Sequence, residues 1–277
     1  MPELPEVESL RRILARSAVG RTIERARVAE PRLRRKVARD FAAAVAGRTI
    51  VRLERRAKYL IIELSGDAAI IVHLGMSGSL THRGRDFDDT EFDPRHDHIE
   101  FALEDATRLV YNDPRRFGLI RLVMGGQLDA APELAALGPE PLSAAFNADY
   151  LSRVARGRRA AIKNLLMDQR VVAGIGNIYA SEILFRAGVR PTRRAARVRR
   201  DEIERIVAAT APILRAAIGS RGTTFRSYRD SEGQPGRFAR RLMVYGRAGE
   251  PCRVCHSVIR AVTVGQRSSF FCPRCQL

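Results

Sequence analysis

The spacing of apolar residues divides the chain into a β-type first half and a helical second half. The chain opens with a helical pattern, in which Val7, Leu10 and Leu14 recur three to four residues apart. Runs of alternating or β-branched residues follow and predict an antiparallel β-sandwich or barrel of about 125 residues. These runs are residues 22–28, 48–54, 58–64, 68–73, 98–103, 107–111 and 117–123.

Helical periodicity returns at residue 147, after a stretch rich in glycine and proline. We therefore expect an α+β multidomain fold, with an N-terminal antiparallel β-sandwich and flanking helices, a C-terminal helical domain and a terminal hairpin. Residues 220–240 are polar, Gly-rich and basic, and they are predicted to form a mobile surface loop. The helical segments are residues 147–156, 158–170, 178–188 and 201–220. The expected domains are residues 1–125, a linker with a short helix at 126–146, a helical domain at 147–240 and a zinc finger at 241–277.

Charge indicates the kind of partner. With 49 lysines and arginines against 31 aspartates and glutamates, the 277-residue chain carries a net charge of +18. We expect a polyanionic partner, and nucleic acid is favoured over a membrane surface or an acidic protein, because no basic amphipathic segment with Trp or Phe anchors occurs. No apolar run of about 18 residues and no signal-peptide pattern is present, so we expect a cytoplasmic protein.

Lysine is scarce, and Lys36, Lys58 and Lys163 are the three in the chain. A compact ammonium does not replace a planar guanidinium at a site that needs a point charge or a titratable amine. These lysines are therefore candidates for chemistry. The alternative is that three survived by chance in an arginine-biased sequence.

All cysteines lie in the last 26 residues, as two C-x-x-C pairs with 16 residues between them. Such pairs are typical of a tetrahedral zinc site in a hairpin too small to fold without a metal. Disulfides are disfavoured in a cytoplasmic protein. The first pair followed by His256 also spells a haem-attachment motif, but that chemistry needs export and leaves the second pair unused. We expect one structural Zn²⁺ and no haem, with the metal held by Cys252, Cys255, Cys272 and Cys275.

Two motifs have the chemistry of phosphate binding. Gly174 and Gly176 predict tight turns that expose backbone N–H groups at a helix start, where Asn177 and Lys163 would complete a phosphate site. Arg267 lies in the hairpin between the cysteine pairs, where a zinc-braced turn would aim it at a phosphate. The alternatives are an ordinary glycine-rich helix cap and a solvated arginine.

Two further loops have residues suited to inserting into a base stack. Met76 lies between glycines, and Arg115, Arg116 and Phe117 lie on a turn between strands. Apolar side chains on the loops of a basic protein can wedge between base pairs, although burial in a core is the alternative for Met76 and Phe117. Residues 95–98 combine two histidines with one aspartate, and we expect them to be hydrogen-bonded or phosphate-facing rather than a second metal site.

The N-terminus, MPELPEVE, combines helix-start signals with a candidate nucleophile. Pro5, Glu6 and Glu8 suit the first turn of a helix, but Pro2 and Glu3 are not explained by it. Methionine before proline is usually removed, which leaves a secondary amine, and an α-amino group titrates near pH 8. Such an amine can attack a sugar C1′ to form an iminium, with the neighbouring carboxyl as acid or base. A retained methionine would block that nitrogen.

These residues resemble one family over essentially the whole chain, the bacterial formamidopyrimidine-DNA glycosylases, which remove oxidised purines from duplex DNA. The motifs that carry the resemblance are MPELPEVE, RRAKYL, HLGMSGSL, HDH, NDPRRFG, GIGNIYASEILF, GTTFRSY, VYGRAGEPC and QRSSFFCPRCQ. The resemblance implies a helix-two-turns-helix type for the C-terminal helical domain. It also implies a bifunctional glycosylase and AP lyase of base excision repair that works by a Schiff base followed by β,δ-elimination.

The resemblance implies a role for each reactive residue. Pro2 would be the Schiff-base nucleophile and Glu3 the acid that opens the deoxyribose, with Glu6 in support. Lys58 would approach the phosphate and assist β-elimination, and Arg267 would hold phosphates around the lesion and assist δ-elimination.

The resemblance also implies a set of DNA contacts. Met76, Arg115 and Phe117 would fill the gap left by the flipped nucleotide, with Arg115 facing the orphaned cytosine, and the 220–240 loop would close over the extruded base. The implied contacts to the DNA backbone are His73, His96, Arg116, Arg159, Lys163 and Asn177. Damaged double-stranded DNA is thus the expected partner of a monomer without membrane association, located in the cytoplasm with the nucleoid.

Two alternatives stay open at this point. The related endonuclease VIII branch prefers oxidised pyrimidines but typically opens MPEGPE, so Leu4 favours the purine branch. A non-catalytic protein that binds damaged DNA would use the same wedge and zinc hairpin, but it has no use for an N-terminal imine-former. Arg159 stands where many relatives have lysine and His256 where glycine is common, and neither is a catalytic position.

Overall fold

The first helix begins where the sequence predicts. The structure is a computed structural model that describes residues 2–225 and 228–277. Helix α1 spans Leu4–Ser17, with Glu3 as its N-cap residue and Pro5 in the first turn. Glu3 and Glu6 form a capping box, in which each side chain accepts a hydrogen bond from the other residue's backbone N–H. Two N–H groups that a helix start leaves without partners are thereby satisfied.

Two antiparallel four-stranded sheets follow, with strand orders β1-β6-β7-β5 and β2-β3-β4-β8 within the described residues. Their inner faces contribute to one apolar core, in which the rings of Phe41 and Phe101 meet edge to face at 6.0 Å. Helix α1 packs against β2 and β3. The elements are β1 (Ile23–Val28), α2 (Phe41–Val45), β2 (Ile50–Arg56), β3 (Tyr59–Leu64), β4 (Ala68–His73), β5 (Ser79–Arg83), β6 (Asp97–Leu103), β7 (Arg108–Asn112) and β8 (Leu119–Met124).

Strand β5 was not among the predicted runs. Its sequence, SLTHR, lacks an apolar alternation, because Ser79 and Thr81 occupy buried positions. Their hydroxyls donate to the carbonyls of Asn112 and Val110 on β7, both at 3.4 Å, which allows polar side chains to be buried in this strand. The seven predicted runs correspond to the other seven strands of the two sheets.

The second half of the chain is helical and ends in a hairpin. The helix predicted at 158–170 is shorter than expected, because residues ahead of Ile162 pair instead with the chain at 193–195: Ile162 N–H donates to Arg193 C=O, and Ala195 N–H to Ala160 C=O. The elements are α3 (Pro132–Ala135), α4 (Ala148–Ala155), α5 (Ile162–Met167), α6 (Asn177–Ala187), α7 (Arg200–Gly219), β9 (Arg260–Val264) and β10 (Arg267–Phe271). The predicted fold class is confirmed.

The contacts divide the chain into two units. Unit 1 comprises the residues up to Ala135 together with Ala217–Ala239, and unit 2 comprises Ala136–Ala216 with Arg240–Leu277. The predicted domains, including 147–240 as one helical domain, stay predictions. Residues 217–239 fall in unit 1 because they hydrogen-bond to the start of α1 and to β5.

The 220–240 segment also differs from the surface loop that its composition predicted. Tyr228, Asp230, Ser231 and Phe238 are buried. The Asp230 carboxylate can be buried here because it accepts hydrogen bonds from Arg221, Glu232 and Gln234 within unit 1. Arg226 and Ser227, which belong to the predicted loop, lie outside the described residues, as does Met1. Among the described residues, no helix is both long and apolar enough to cross a membrane.

Candidate functional site

The start of α1 carries the candidate nucleophile and acid. Pro2 is buried, and Glu3, 2% exposed, follows it as the helix N-cap. The proline nitrogen therefore lies directly before a helix N-terminus, beside one of the carboxylates that the sequence singled out.

Glu6 joins this terminus to the 217–239 segment. One carboxylate oxygen accepts the Glu3 N–H at 2.8 Å and the other accepts the Thr223 N–H at 2.7 Å. The Tyr228 hydroxyl donates to the Glu6 carbonyl at 3.0 Å, and a Cβ at Gly222 would lie 2.9 Å from the Glu6 side chain. Glu6 is thus a buried link that holds two chain segments in a fixed relation.

Lys58 and His73 lie at the same end of one sheet. Lys58 is buried in the β2–β3 turn, which Ala57 makes with φ +55°, and the next residue, Tyr59, pairs with His73 of β4. The rings of Tyr59 and His73 are 4.9 Å apart. An ammonium group is therefore held near a histidine in unit 1.

His73 is neutral near pH 7 and has a defined tautomer. Burial, together with the nearby charges of Lys58 and Arg34, lowers the pKa of His73 to about 4. Its Nδ1 accepts the Gly75 N–H at 2.9 Å, so the single ring proton is on Nε2. His73 therefore offers a hydrogen-bond donor without a net charge.

A cavity of about 670 Å³ opens beside His73 and contains the predicted wedge residues. Met76 is 43% exposed and Phe117 is 47% exposed, so neither is a core residue. The Arg115 guanidinium stacks over the Phe117 ring at 4.6 Å. The lining residues are Arg32, Arg34, His73, Gly75, Met76, Arg115, Arg116 and Phe117. A basic cavity with exposed apolar side chains is suited to nucleic acid.

Asp113 organises both loops of this cavity, and sequence reasoning did not single it out. Its buried carboxylate accepts from the Ser77 hydroxyl at 2.7 Å, the Tyr111 hydroxyl at 3.1 Å and the Gly118 N–H at 2.9 Å. The Met76 loop and the Phe117 loop are therefore tied to one group. The sequence did contain a signal for Asp113, because an aspartate directly before a proline, here Pro114, is typical of a turn.

The histidine motif at 95–98 has two different members. His98 is buried, and its Nε2 lies 2.8 Å from the Asp113 carbonyl, so it supports the same loops. His96 is part-exposed and lines a second cavity of about 610 Å³ together with Arg116 and other charged residues. Asp97 is paired with Arg83. Within 2–225 and 228–277, these residues are not among the groups whose ligand atoms cluster closely enough for a metal.

Unit 2 places Lys163 and Asn177 against the hairpin. The ammonium of Lys163, a fully buried side chain, donates to the Ser269 hydroxyl at 2.6 Å and to the Ser268 carbonyl at 3.2 Å. Asn177 Nδ2 donates to the same Ser268 carbonyl at 3.0 Å. In this arrangement both side chains support β10, next to the exposed Arg267.

Arg267 follows a tight turn. Gly265 and Gln266 have φ of +57° and +61°, the two left-handed residues that a two-residue hairpin turn requires. A Cβ at Gly265 would lie 2.6 Å from the Asn164 side chain, so the turn also touches α5. Arg159 is likewise exposed in unit 2. These two arginines are accessible to a phosphate.

Glu182 is a second residue that sequence reasoning missed. It lies on α6, and its buried carboxylate accepts the backbone N–H groups of Met243, Val244 and Tyr245 at 2.8, 3.0 and 2.9 Å. Burial raises its pKa, and the three hydrogen bonds oppose that rise. A lone carboxylate within the apolar run IYASEILF was the available signal, since a buried charge needs partners.

The four cysteines form a metal site. Their sulfur atoms lie within 4.8 Å of one another, with Cys252 and Cys275 at 3.9 Å and Cys255 and Cys272 at 3.4 Å. Tetrahedral Zn–S bonds of about 2.3 Å place sulfurs about 3.8 Å apart, so the set fits one zinc ion. Backbone N–H groups also point at two of the sulfurs, as from Val254 to Cys252 at 3.5 Å. The protein has one structural zinc site.

Three family models match the chain: the formamidopyrimidine-DNA glycosylase N-terminal domain over residues 1–120, the H2TH domain of the same enzymes over 137–229, and a zinc finger found in FPG and IleRS over 249–277. A formamidopyrimidine-DNA glycosylase from Halorhodospira halophila is 49% identical over 276 residues and covers 100% of each chain. The one from Syntrophotalea carbinolica is 46% identical with the same coverage.

Solved structures agree with these matches. MutM (FPG) from Thermus thermophilus superposes with a TM-score of 0.87 at 38% identity, covering 99% of this chain and 98% of that one. Lactococcus lactis Fpg in complex with abasic-site DNA gives a TM-score of 0.89 at 33% identity and covers 99% of both chains.

Proposed function

Because this chain belongs to the formamidopyrimidine-DNA glycosylase family, we propose that it is a bifunctional DNA glycosylase and AP lyase of base excision repair. Its proposed substrates are oxidised purines in duplex DNA, namely 8-oxoguanine and formamidopyrimidines. The proposal depends above all on Pro2 and Glu3 at the capped start of α1, in the same unit as the cavity with exposed Met76 and Phe117.

The first reaction replaces the base by the protein. With Met1 removed, the secondary amine of Pro2 attacks C1′ of the damaged nucleotide, and the N-glycosidic bond breaks with its electron pair going to the base. The base takes up the proton that the amine loses. Glu3 then protonates the ring oxygen as the C1′–O4′ bond breaks, which leaves an iminium between Pro2 and the open sugar. Glu6 acts by holding Glu3 and Thr223 in place.

The second reaction cuts the strand. The iminium acidifies the C2′ proton, whose loss supplies the electron pair that expels the 3′ phosphate. Loss of the C4′ proton then drives a second elimination that releases the 5′ phosphate. We assign Lys58 to the phosphate of the first elimination and Arg267 to that of the second, because Lys58 lies in a tight turn and Arg267 directly follows one, and each carries a positive charge.

The cavity residues support extrusion of the base. Flipping a nucleotide costs a few kcal/mol, and Met76, Phe117 and Arg115 offset part of that cost by filling the vacated space. Arg115 faces the orphaned cytosine in this proposal. The 220–240 loop closes over the extruded base in this proposal. Its residues up to Ala239, called the 220–239 segment below, are joined to the reactive terminus by the Glu6–Thr223 hydrogen bond. The proposed backbone contacts are His73, His96, Arg116, Arg159, Lys163 and Asn177.

The proposed partner is damaged double-stranded DNA, bound by a monomer in the cytoplasm. The net charge of +18 suits a polyanion, and a zinc site of four thiolates suits a reducing compartment. In salt titrations, DNA affinity should fall steeply with ionic strength.

Borohydride trapping tests the mechanism. Borohydride reduces an iminium to a stable amine, so the wild type incubated with a duplex containing 8-oxoguanine should give a covalent adduct that maps to the N-terminal peptide. Pro2→Gly should give much less adduct, whereas Pro5→Ala, a second proline of the same helix start, should keep it. An absent adduct from protein of the mature mass, or an undiminished one from Pro2→Gly, would remove the proposal. The first result would favour a non-catalytic damage-binding protein.

The same assay tests the substrate. Duplexes that carry an oxidised purine or an oxidised pyrimidine at the same position are compared under single turnover. Faster removal of the purine supports the proposal, and faster removal of the pyrimidine favours an endonuclease VIII-like enzyme.

A further inference from the structure

Residues 230–234, in the second half of the 220–239 segment, form a turn that is ordered by hydrogen bonds to Asp230. Asp230 is fully buried, and one of its carboxylate oxygens accepts the N–H groups of Glu232 and Gln234 at 3.0 and 2.9 Å. The other oxygen pairs with Arg221 at 2.8 Å. An aspartate that accepts from amides two and four residues ahead fixes the shape of a turn. The position of this turn is therefore set by the residues against which it packs.

The turn packs against residues 84–93, here called the strap, which the proposed mechanism does not use. A Cβ at Gly233 would lie 3.3 Å from the Phe87 ring, so the ring lies directly on the glycine backbone. The Arg229 guanidinium forms an ion pair of 2.7 Å with Glu91. Two residues of the strap thus contact two residues of the turn.

The strap is itself fixed to the β-sandwich. The Arg83 guanidinium lies 5.5 Å from the Phe87 ring centroid and 5.1 Å from that of Phe92, and it makes a bidentate pair with Asp97 of β6. Arg83 and Phe92 are buried, and Phe87 is half-buried at the outer side of this cluster. A ring packed on a buried guanidinium is a firm support for a turn.

The free edge of β5 makes a further contact with the turn. The His82 N–H donates to the Ser231 carbonyl at 2.9 Å. The described residues of the 220–239 segment are therefore held on one side by Glu6, at the reactive terminus, and on the other by β5 and the strap.

We propose that the strap positions the 220–239 segment for removal of the base, with Phe87 and Glu91 as its positioning residues. The proposal rests on the proposed function, in which this segment holds the extruded base. A shift of the turn would move the segment relative to the base, and small errors in geometry near a reacting centre are costly. An abasic substrate has no base to hold, so its cleavage does not depend on the strap.

Phe87→Ala tests this inference by removing the ring that contacts Gly233. Single-turnover base removal from an 8-oxoguanine duplex should slow roughly tenfold. Strand cleavage of a preformed abasic duplex of the same sequence should stay within about twofold of the wild type. Phe87→Tyr keeps the ring and should restore base removal. Hydrogen exchange of the peptide covering 228–236 should be faster in Phe87→Ala than in the wild type.

Glu91→Gln is an independent variant that preserves the core, since Glu91 is 59% exposed. Base removal should slow about two- to fivefold at low salt, and the effect should vanish at high salt, because an exposed ion pair is screened. Glu63→Gln is the matched control, since it removes an exposed ion pair with Arg52 of 2.9 Å on the same unit without touching the strap. That control should behave as the wild type does.

Three results would overturn the strap proposal, and they distinguish its failure from failure of the proposed function. Loss of base removal and abasic cleavage in parallel would show a general defect and overturn the strap proposal. So would wild-type rates of base removal in both Phe87→Ala and Glu91→Gln, although the proposed function would stand. A wild-type protein that removes no base would overturn the proposed function, and the strap proposal with it.

Discussion

One buried group holds the loops of the cavity, and a separate metal site holds the zinc hairpin. These two centres differ in kind. In unit 1, the buried Asp113 carboxylate accepts hydrogen bonds from both loops. In unit 2, four thiolates gather around one metal position. The cavity loops sit on the large core of a β-sandwich, whereas the hairpin has only a small cluster of apolar residues beside its cysteines. A carboxylate is enough where a core already exists, and a metal replaces the core where none does.

Of the changes that test this comparison, loss of zinc should have the largest effect on folding. Cys272→Ser should abolish stoichiometric zinc and unfold residues 249–277, because binding of a structural zinc ion provides about 10–16 kcal/mol of folding free energy in small fingers. Metal analysis and hydrogen exchange of the hairpin measure both effects. His256→Ala is the control and should retain one zinc per chain. A hairpin that stays protected without metal would contradict the comparison.

Loss of the Asp113 charge should have a smaller effect on stability than loss of zinc, and the effect should be local to the cavity loops. Asp113→Asn keeps the shape but leaves an amide N–H₂ facing groups that donate, which should cost about 3 kcal/mol of unfolding free energy. Denaturant unfolding measures the cost, and binding to a lesion-containing duplex should weaken because the Met76 and Phe117 loops lose their common support. Asp129→Asn, at an exposed position of the same unit, should change stability by less than about 0.5 kcal/mol.

The lowered pKa of His73, a residue of unit 1, predicts that its contribution to stability depends on pH. The pKa of His73 is lowered to about 4 in the folded protein from about 6.5 when unfolded, so the unfolded state binds more protons between these values. Stability from this group is complete above about pH 6.5 and is lost as the pH falls towards 4, by about 3 kcal/mol in total. The difference in unfolding free energy between wild type and His73→Gln should therefore shrink from pH 7.5 to pH 4.5. A difference that does not vary with pH would contradict the assignment.

Substitution of Lys163 tests a second support of the hairpin in unit 2, besides the metal. If its ammonium supports the hairpin, Lys163→Met should lower stability by about 1–2 kcal/mol, because the Ser269 hydroxyl loses its donor. Because Lys163 is also a proposed contact to the DNA backbone, the same change should reduce the slope of log affinity against log salt by about 1. Arg159→Gln should reduce that slope to the same extent and leave stability unchanged. An unchanged slope for Lys163→Met would contradict the proposed phosphate contact and restrict Lys163 to support of the hairpin.

The smallest effect is expected at His256, which has φ +62° beside the zinc ligands. Left-handed backbone costs a residue with a side chain about 1 kcal/mol relative to glycine. His256→Gly should therefore slow zinc release to a chelator and raise the unfolding temperature slightly. Ser257→Gly, at the next position, should bring no such gain.

The sequence by itself determined the elements with strong periodic signals and the zinc site. Helix α1, seven of the eight strands in the sandwich and the paired cysteines follow from local patterns, because spacing along the chain fixes which side chains share a face or a metal. The sequence also predicts, from their adjacency, that Pro2 and Glu3 form a reactive pair. Their roles remain a prediction.

Tertiary structure alone decided which distant residues meet. The burial of Ser79 and Thr81 in β5 depends on carbonyls of β7, and the burial of Asp230 depends on a turn that packs against the strap. The link from Glu6 to Thr223 spans more than two hundred residues. No local pattern encodes such contacts, because a polar side chain is stable in the interior only when chain packing brings it a partner.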